Sequence, residues 1–175
     1  MINSRTAIVC LSQHHGNTRK IAEAMADELQ AEVLAPDSPA VSDLSRYDVV
    51  GWGSGIYFCR HHNSLLQLAE SATVLPKNAF IFSTAGLPQW SALWHASLRN
   101  RLRKRDCEIL GEFSCPGWDT VGPLRFIGGI RRSHPDGRDL ASAADFARRI
   151  RYRMKRDDAD QRFPTAFTSE LTPSS

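Results

Sequence analysis

Residues 6–30, TAIVCLSQHHGNTRKIAEAMADELQ, contain the transition that decides the fold. The apolar run Thr6–Leu11 predicts a buried β-strand. The stretch that follows predicts a helix with one buried face, because its apolar residues recur at helical spacing: Ala22, Met25, Ala26 and Leu29. Between strand and helix lies a short link, SQHHGNT. A strand followed so closely by an amphipathic helix is typical of a βαβ unit.

The same alternation of apolar runs and helical patterns continues along the chain. Further strands are predicted at about 32–34, 48–53, 79–84 and 108–115. Helices are predicted at about 64–71 and 91–104, the second with Trp94, Leu98 and Leu102 on one stripe. A last helix has the stripe Leu140, Ala144, Ala147, Ile150 and Met154. We therefore expect an α/β fold, a doubly wound five-stranded parallel sheet with strand order 2-1-3-4-5.

One domain accommodates this pattern. The chain has 175 residues and 42% hydrophobic residues, enough for a single core, which we place in residues 1–156. Residues 157–175 are polar, and we expect a disordered tail there. No apolar run approaches the roughly 18 residues of a membrane helix. The four cysteines form no CxxC pair and are interpreted as reduced thiols, so we expect a cytoplasmic protein.

The basic residues are concentrated in two runs, although the net charge is only +3. Residues 99–105 and 148–156 together hold 11 of the 22 lysines and arginines and no acidic residue. The remainder of the chain has 11 basic against 19 acidic residues. Placed at helix C-termini, the runs are favoured by the helix dipole and lie at the edge opposite a ligand. Solvated helix ends explain them, as would peripheral contact with an acidic partner or an anionic membrane; nucleic acid fits poorly, since no reading motif is present.

Three loops are predicted to meet where the strands end, at the switch point between strands one and three. In the first loop, Gly16 and hydroxyl groups precede a helix N-terminus, an arrangement that suits a phosphate. No lysine precedes Thr18, which argues against a Walker A loop; an ordinary N-capped turn is the alternative. The second loop presents Ile56, Tyr57 and Phe58, which suit a planar ring or plug a gap between loops. The third, STAGLPQW at 83–90, adds hydroxyls and an aromatic residue.

These motifs together resemble the flavodoxin family. S-x-x-x-G-N-T at 12–18 is similar to its phosphate loop, YDVVGWGSGIYF at 47–58 to its strand-three loop, and FIFSTAG at 80–86 to its strand-four loop. The similarity spans nearly all of residues 5–153 and implies FMN as cofactor. It implies phosphate contacts from Ser12, Gln13, His14, His15, Gly16, Asn17 and Thr18. Contacts with the ring are implied for Ser54, Gly55, Ile56, Tyr57, Phe58, Ser83, Thr84, Ala85 and Gly86, with Trp90 as a further stacking candidate.

The function that this resemblance implies is electron transfer between redox partner proteins, with the cofactor supplying the chemistry. The alternative is an FMN oxidoreductase that uses NAD(P)H or a quinone as a small-molecule partner. A phosphorylatable receiver is disfavoured, because Ser12–Gln13 and Ser54–Gly55 stand where that class needs carboxylates. No catalytic residue and no metal site is predicted.

Two remaining features have no assigned role. His61 and His62 are expected on a loop surface, since adjacent histidines rarely converge on one ion. The loop 116–139 is long and holds Trp118, Arg131, Arg132 and His134. Long loops are often functional, so it caps the ring, selects a partner, binds an acidic substrate or is purely structural.

Overall fold

A computed structural model describes residues 5–13, 16–117 and 133–162 of the chain. The sheet has five parallel strands and one short antiparallel strand: β1 (Thr6–Leu11), β2 (Glu32–Leu34), β3 (Val49–Tyr57), β4 (Arg60–His61), β5 (Asn78–Ala85) and β6 (Glu108–Pro116). The helices are α1 (Asn17–Leu29), α2 (Asn63–Ser71), α3 (Ser91–Trp94), α4 (Ala96–Arg103) and α5 (Gly137–Arg162). Single 3₁₀ turns lie at Pro39–Val41 and Pro88–Trp90.

The five parallel strands lie in the order β2-β1-β3-β5-β6, and β4 pairs only with β3. Without the two-residue β4, this is the predicted order 2-1-3-4-5, so the predicted fold class is confirmed. The chain leaves β1 for β2 on one side and returns to β3 on the other. The switch point between β1 and β3 is therefore present, with Leu11 of β1 beside Ser54 of β3.

Two separate cores cover the two faces of the sheet. On one face, α1 and α5 pack against Ile8, Phe80 and Phe82. On the other face, α2 and α4 pack against Val9, Trp52 and Ile81. The predicted stripes of α1 and of the helix around Leu98 are buried as expected. In α5 the core contacts include Ala143 and Phe146, which the predicted stripe lacked, while Leu140 and Ala144 are only half-buried.

Glycines inside β3 allow the sheet to hold two phenylalanines. A Cβ atom on Gly51 would lie 2.3 Å from Phe80 Cζ, and one on Gly53 would lie 2.0 Å from Phe82 Cζ. Both distances are far below van der Waals contact, so no side chain fits there without displacing a ring. The motif GWGSG is therefore explained by close packing between neighbouring strands.

Three elements differ substantially from the prediction. Strand β3 continues to Tyr57, because its last residues still pair, first with β5 and then with β4. The helix expected over 91–104 is divided at His95, whose side chain is buried. The last helix extends to Arg162, past the position where we expected the tail to begin. Residues 163–175, to which most of that expectation applies, lie outside the described residues.

The two basic runs are partly engaged within the chain. Arg105 donates to the carbonyl oxygens of Ala69, Glu70 and Thr73, which close the end of α2 and the turn after it. Arg151 donates to the carbonyl oxygen of Glu28 at 2.7 Å. The second run lies within α5, well before its last residue, which corrects its expected place at a helix end. None of the described helices combines the length and hydropathy of a membrane span.

Candidate functional site

The carboxyl ends of β1, β3 and β5 lie side by side. Leu11 pairs with Ser54, and Ser54 pairs with Ser83 in parallel register. The three predicted loops are called the first (12–18), second (54–58) and third (83–90) segments. Each begins at or just beyond one of these residues. The sheet therefore places them along one edge, as ligand-binding loops of doubly wound folds are placed.

The first segment ends in a helix N-terminus suited to an anion. Gly16 caps α1 with φ +68°, a left-handed conformation that glycine adopts without a Cβ penalty. No acidic residue is present in the first turn of α1. The backbone N–H of Arg19 donates to Ser12 Oγ at 3.3 Å, so this hydroxyl lies at the start of the helix. Gln13 is exposed, and His14 and His15 lie outside the described residues.

Asn17 and Thr18, the last two residues of the first segment, are buried close to the third segment. Thr18 Oγ1 lies 2.8 Å from Thr84 Oγ1, which joins α1 to the end of β5. Asn17 is also buried, and a Cβ on Gly117 would lie 3.4 Å from its Nδ2 and 3.0 Å from Thr84 Cβ. Close packing at Gly117 thus brings the end of β6 against the other two segments.

The second segment is a tight hairpin instead of an open loop. Ile56 pairs with His61 and Tyr57 with Arg60, which leaves Phe58 and Cys59 as the two turn residues. Both have positive φ, 48° and 62°, as the two central positions of a type I′ turn require. Phe58 is 86% exposed, whereas Ile56 and Tyr57 are half-buried. A large aromatic side chain thus projects from the edge of the site.

Tyr57 is folded back onto its own strand. A Cβ on Gly55 would lie 3.1 Å from the Tyr57 ring and its hydroxyl. The ring also meets the His62 ring edge-on, with 5.5 Å between centroids. Gly55 therefore gives this aromatic ring the space to lie along the strand.

The third segment begins buried and then becomes exposed. Ser83, Thr84, Ala85 and Gly86 are all buried. The N–H of Gly117 donates to the Ala85 carbonyl at 3.1 Å. Leu87 and Trp90 follow immediately and are exposed. Together with Phe58, they give this edge several exposed apolar side chains.

A buried histidine network lies behind the second and third segments. His61 Nδ1 is 2.8 Å from Ser54 Oγ, and His95 Nε2 is 2.8 Å from Ser83 Oγ. The centroids of the two imidazole rings are 5.0 Å apart. His95 Nδ1 lies 3.0 Å from Glu112 Oε2.

Glu112, at the outer end of the network, is kept ionised by its hydrogen bonds. Arg99 contacts both oxygens of the Glu112 carboxylate, one of them at 2.8 Å. Although burial disfavours its ionised form, the hydrogen bonds from Arg99 and His95 lower the pKa of Glu112 to about 2. Burial, together with the neighbouring His95, lowers the pKa of His61 well below its ordinary value. The carboxylate is therefore ionised and His61 neutral near pH 7.

The network corrects the expectation for His61. The sequence predicts that both adjacent histidines lie on a loop surface. In the structure His61 is buried, at 1% exposed, and His62 is half-buried. His62 Nδ1 accepts from the N–H of Ser64 at 3.2 Å and caps α2. His95 and Glu112 were missed altogether. The useful signal is strand alternation: Ser54 follows Trp52, and Ser83 follows Ile81, on the face that α2 and α4 cover.

Ser83, His95 and Glu112 are connected as in a Ser-His-acid catalytic triad, but the Ser83 hydroxyl is not accessible to a substrate. A nucleophilic serine must reach a substrate. Ser83 is 0% exposed, and its Oγ also lies 2.9 Å from Ser114 Oγ. The arrangement therefore suits a structural role for Ser83, and no nucleophile is assigned.

One group near the start of α5 has the residue types of a metal site. Ligand atoms of His134, Asp136 and Asp139 lie within 4.8 Å of one another. Asp136 Oδ1 accepts from the N–H groups of Arg138 and Asp139, and Asp139 Oδ2 from that of Asp136. Helix capping accounts for these contacts. Residues 118–132 of the long loop lie outside the described residues.

Comparisons with known proteins support the same fold. An uncharacterized protein of Methanocaldococcus jannaschii is 41% identical over 146 residues, 83% of this chain and 97% of that protein. Oxidised flavodoxin 2 of Bacillus cereus has a TM-score of 0.60 at 16% identity, over 86% of this chain and 99% of that one. A flavoprotein of Lactobacillus acidophilus, solved in complex with FMN, has a TM-score of 0.53 at 14% identity, over 63% and 93%. The family model described as a flavodoxin domain matches residues 8–106. The chain therefore belongs to the flavodoxin family.

Proposed function

We propose that the protein binds FMN at the carboxyl edge of β1, β3 and β5 and transfers electrons between redox partners. The observation that carries the proposal is the meeting of three segments at the β1–β3 switch point, beside a helix that begins at left-handed Gly16. Membership of the flavodoxin family supports a flavin cofactor. FMN is also the ligand that the solved Lactobacillus flavoprotein contains.

The donor set fits a phosphate. The helix N-terminus has partial positive charge, its first turn lacks carboxylates, and Ser12 adds a hydroxyl. We assign the phosphate to Ser12, Gln13, His14, His15, Gly16, Asn17 and Thr18. Because the Thr18 hydroxyl contacts Thr84, its main role here is to hold the first segment against the third.

The ring would lie between the second and third segments. Ile56, Tyr57 and Phe58 offer apolar and aromatic side chains, and Gly55, Thr84, Ala85 and Gly86 offer backbone groups. Ser54 and Ser83 contribute through their backbone, since their hydroxyls contact His61 and His95. When bound, FMN supplies the redox chemistry; the protein orients it, excludes water from it and tunes it by hydrogen bonding.

A second candidate function is supported by the exposed side chains. Phe58, Leu87, Trp90 and Leu93 are large, apolar and exposed near this edge. Such side chains suit contact with a redox partner protein, and they suit contact with an apolar quinone equally well. An FMN oxidoreductase that uses NAD(P)H or a quinone is therefore the alternative.

Two assays on the FMN-loaded protein separate the candidates. A carrier is reduced by a flavodoxin reductase and passes electrons on, with negligible turnover of NADPH and quinone alone. An oxidoreductase turns over NADPH and a quinone without a partner protein, at about 1 s⁻¹ or faster. If the purified protein is colourless and retains no FMN after reconstitution, both functions are rejected.

A further inference from the structure

We infer that His61 and His95 are positioning residues that fix the ends of β3 and β5 through Ser54 and Ser83, and that His61 keeps its buried position only while its ring is neutral. The inference extends the proposed function, since these strand ends form the second and third segments of the site. Neither histidine is proposed to touch the cofactor. The contacts of each ring indicate how it fixes its strand end.

The contacts of Ser54 assign the tautomer of His61. Ser54 Oγ donates to the Gly55 carbonyl at 2.8 Å and accepts from the N–H of His62 at 3.2 Å. Since a hydroxyl has one hydrogen to donate, His61 must donate to it from Nδ1. The tautomer is therefore Nδ1–H, and Nε2 carries a lone pair.

The contacts of Glu112 assign the tautomer of His95. The ionised carboxylate can only accept, so His95 donates to it from Nδ1. In the neutral ring, Nε2 then accepts from Ser83 Oγ. Ser83 Oγ in turn accepts from Ser114 Oγ at 2.9 Å. While both rings are neutral, their hydrogen bonds to Ser54 and Ser83 therefore have fixed directions.

Protonation would destabilise the buried position of His61, although its Nδ1–H would still donate to Ser54. Its Nε2 is buried and has no hydrogen-bond partner among the described residues. A proton there would leave a buried, unpaired N–H on a charged ring. Among the described residues, His95 and Glu112 are the charged or titratable neighbours of His61 in space, Arg99 lies on the far side of Glu112, and Arg60 and His62 flank His61 in the chain. Glu112 favours the charged ring, but it already holds Arg99 and His95, and burial opposes charge more strongly.

The expected consequence is local opening of the β3–β4 hairpin in acid. An opened hairpin exposes His61 to water, where its pKa returns to about 6.5. The equilibrium constant for opening should then increase between pH 8 and pH 5, by at most about thirtyfold. Opening displaces Ser54 and the turn residues, so the apparent FMN dissociation constant should increase by the factor of one plus the opening constant in the same pH range.

A hydrogen-exchange experiment on the cofactor-free protein tests this directly. The variant His61→Asn retains an N–H donor near the position of Nδ1 but does not titrate. In the wild-type protein, we expect the opening constant of the hairpin amides, corrected for intrinsic exchange rates, to be higher at pH 5 than at pH 8, by up to about thirtyfold. His61→Asn should show a change below threefold, and the control His134→Gln should behave as the wild-type protein does. Equal pH dependence in wild type and His61→Asn would overturn the inference.

Two further measurements keep the test decisive. Long-range ¹H–¹⁵N NMR of the wild-type protein at pH 7 should show His61 as the Nδ1–H tautomer; an Nε2–H tautomer would overturn the assignment without any variant. The ratio of the FMN dissociation constants of wild type and His61→Asn should increase as the pH falls from 7.5 to 5, since phosphate protonation cancels in the ratio. A constant ratio, when exchange shows that the open hairpin is the major state at pH 5, would reject the link to the site. A protein that never binds FMN would reject the proposed function instead.

Discussion

Replacing Ser12 by aspartate should leave the fold as stable as before or more stable, and should weaken the binding of FMN. Ser12 Oγ accepts from the N–H of Arg19 at 3.3 Å, so the new carboxylate would lie at the first turn of α1. A negative charge there interacts favourably with the helix dipole, by about 0.3–1 kcal/mol. The free energy of unfolding of the cofactor-free protein should therefore stay constant or increase slightly.

FMN binding should weaken strongly in the same variant. A phosphate monoester carries about −1.5 to −2 charges at pH 7. Two unit charges about 4 Å apart repel by about 1 kcal/mol in bulk water, and by about 4 kcal/mol at the effective dielectric constant near a protein surface. With the lower figure, a nearly dianionic phosphate loses about 2 kcal/mol, or on the order of thirtyfold in affinity.

Fluorescence titration with FMN and with riboflavin separates this effect from general damage. Riboflavin lacks the phosphate, so its affinity for Ser12→Asp should match that for the wild-type protein within about twofold. The neutral variant Ser12→Asn is the matched control and should retain most of the FMN affinity. Equal FMN affinities of the aspartate and asparagine variants would refute the placement of the phosphate at α1.

Three further predictions concern the fold. Because the folded state keeps His61 neutral, the unfolded state binds more protons below pH 6.5, and His61 should lower the free energy of unfolding by up to about 1.4 kcal/mol for each unit that the pH falls; His61→Asn should lessen that slope in urea titrations at several pH values. Gly53→Ala should destabilise the protein by about 1–3 kcal/mol or more in urea, since its Cβ would overlap Phe82, whereas Gly137→Ala, with open space around it, should not. The pKa of Glu112 is about 2, so its stabilising contribution is present above pH 4.5 and is lost as the pH falls toward 2; wild type and Glu112→Gln should differ in stability at pH 7 and converge in acid, and a constant difference would contradict the ion pair.

The parts of the fold that were predicted correctly depend on local patterns. The bounds of β1 and β2 and the buried face of α1 follow from apolar runs and helical spacing. The alternation of strands and helices predicts a parallel sheet, and the strand order is the commonest one for such a chain at this size. These signals lie within one element or between neighbouring elements, so a single sequence contains them.

The parts that were missed depend on contacts between distant residues. The extension of β3 to Tyr57 requires pairing with β5 and β4. The burial of His61 depends on His95, which is far away in sequence and lies at a helix break. In the site, the three segments were predicted, but the positions of the Ser54 and Ser83 hydroxyls depend on these histidines. Sequence patterns predict which face of a strand a residue occupies, but they do not identify the distant residue that it contacts there.

The most direct test of the account is a titration of the purified, cofactor-free protein with FMN, followed by flavin fluorescence and absorption. We expect saturation at one FMN per chain, a dissociation constant in the micromolar range or below, and weaker binding of riboflavin. No binding at micromolar concentrations, or equal affinity for FMN and riboflavin, would contradict the claim that this edge of the sheet holds the cofactor with its phosphate at the start of α1.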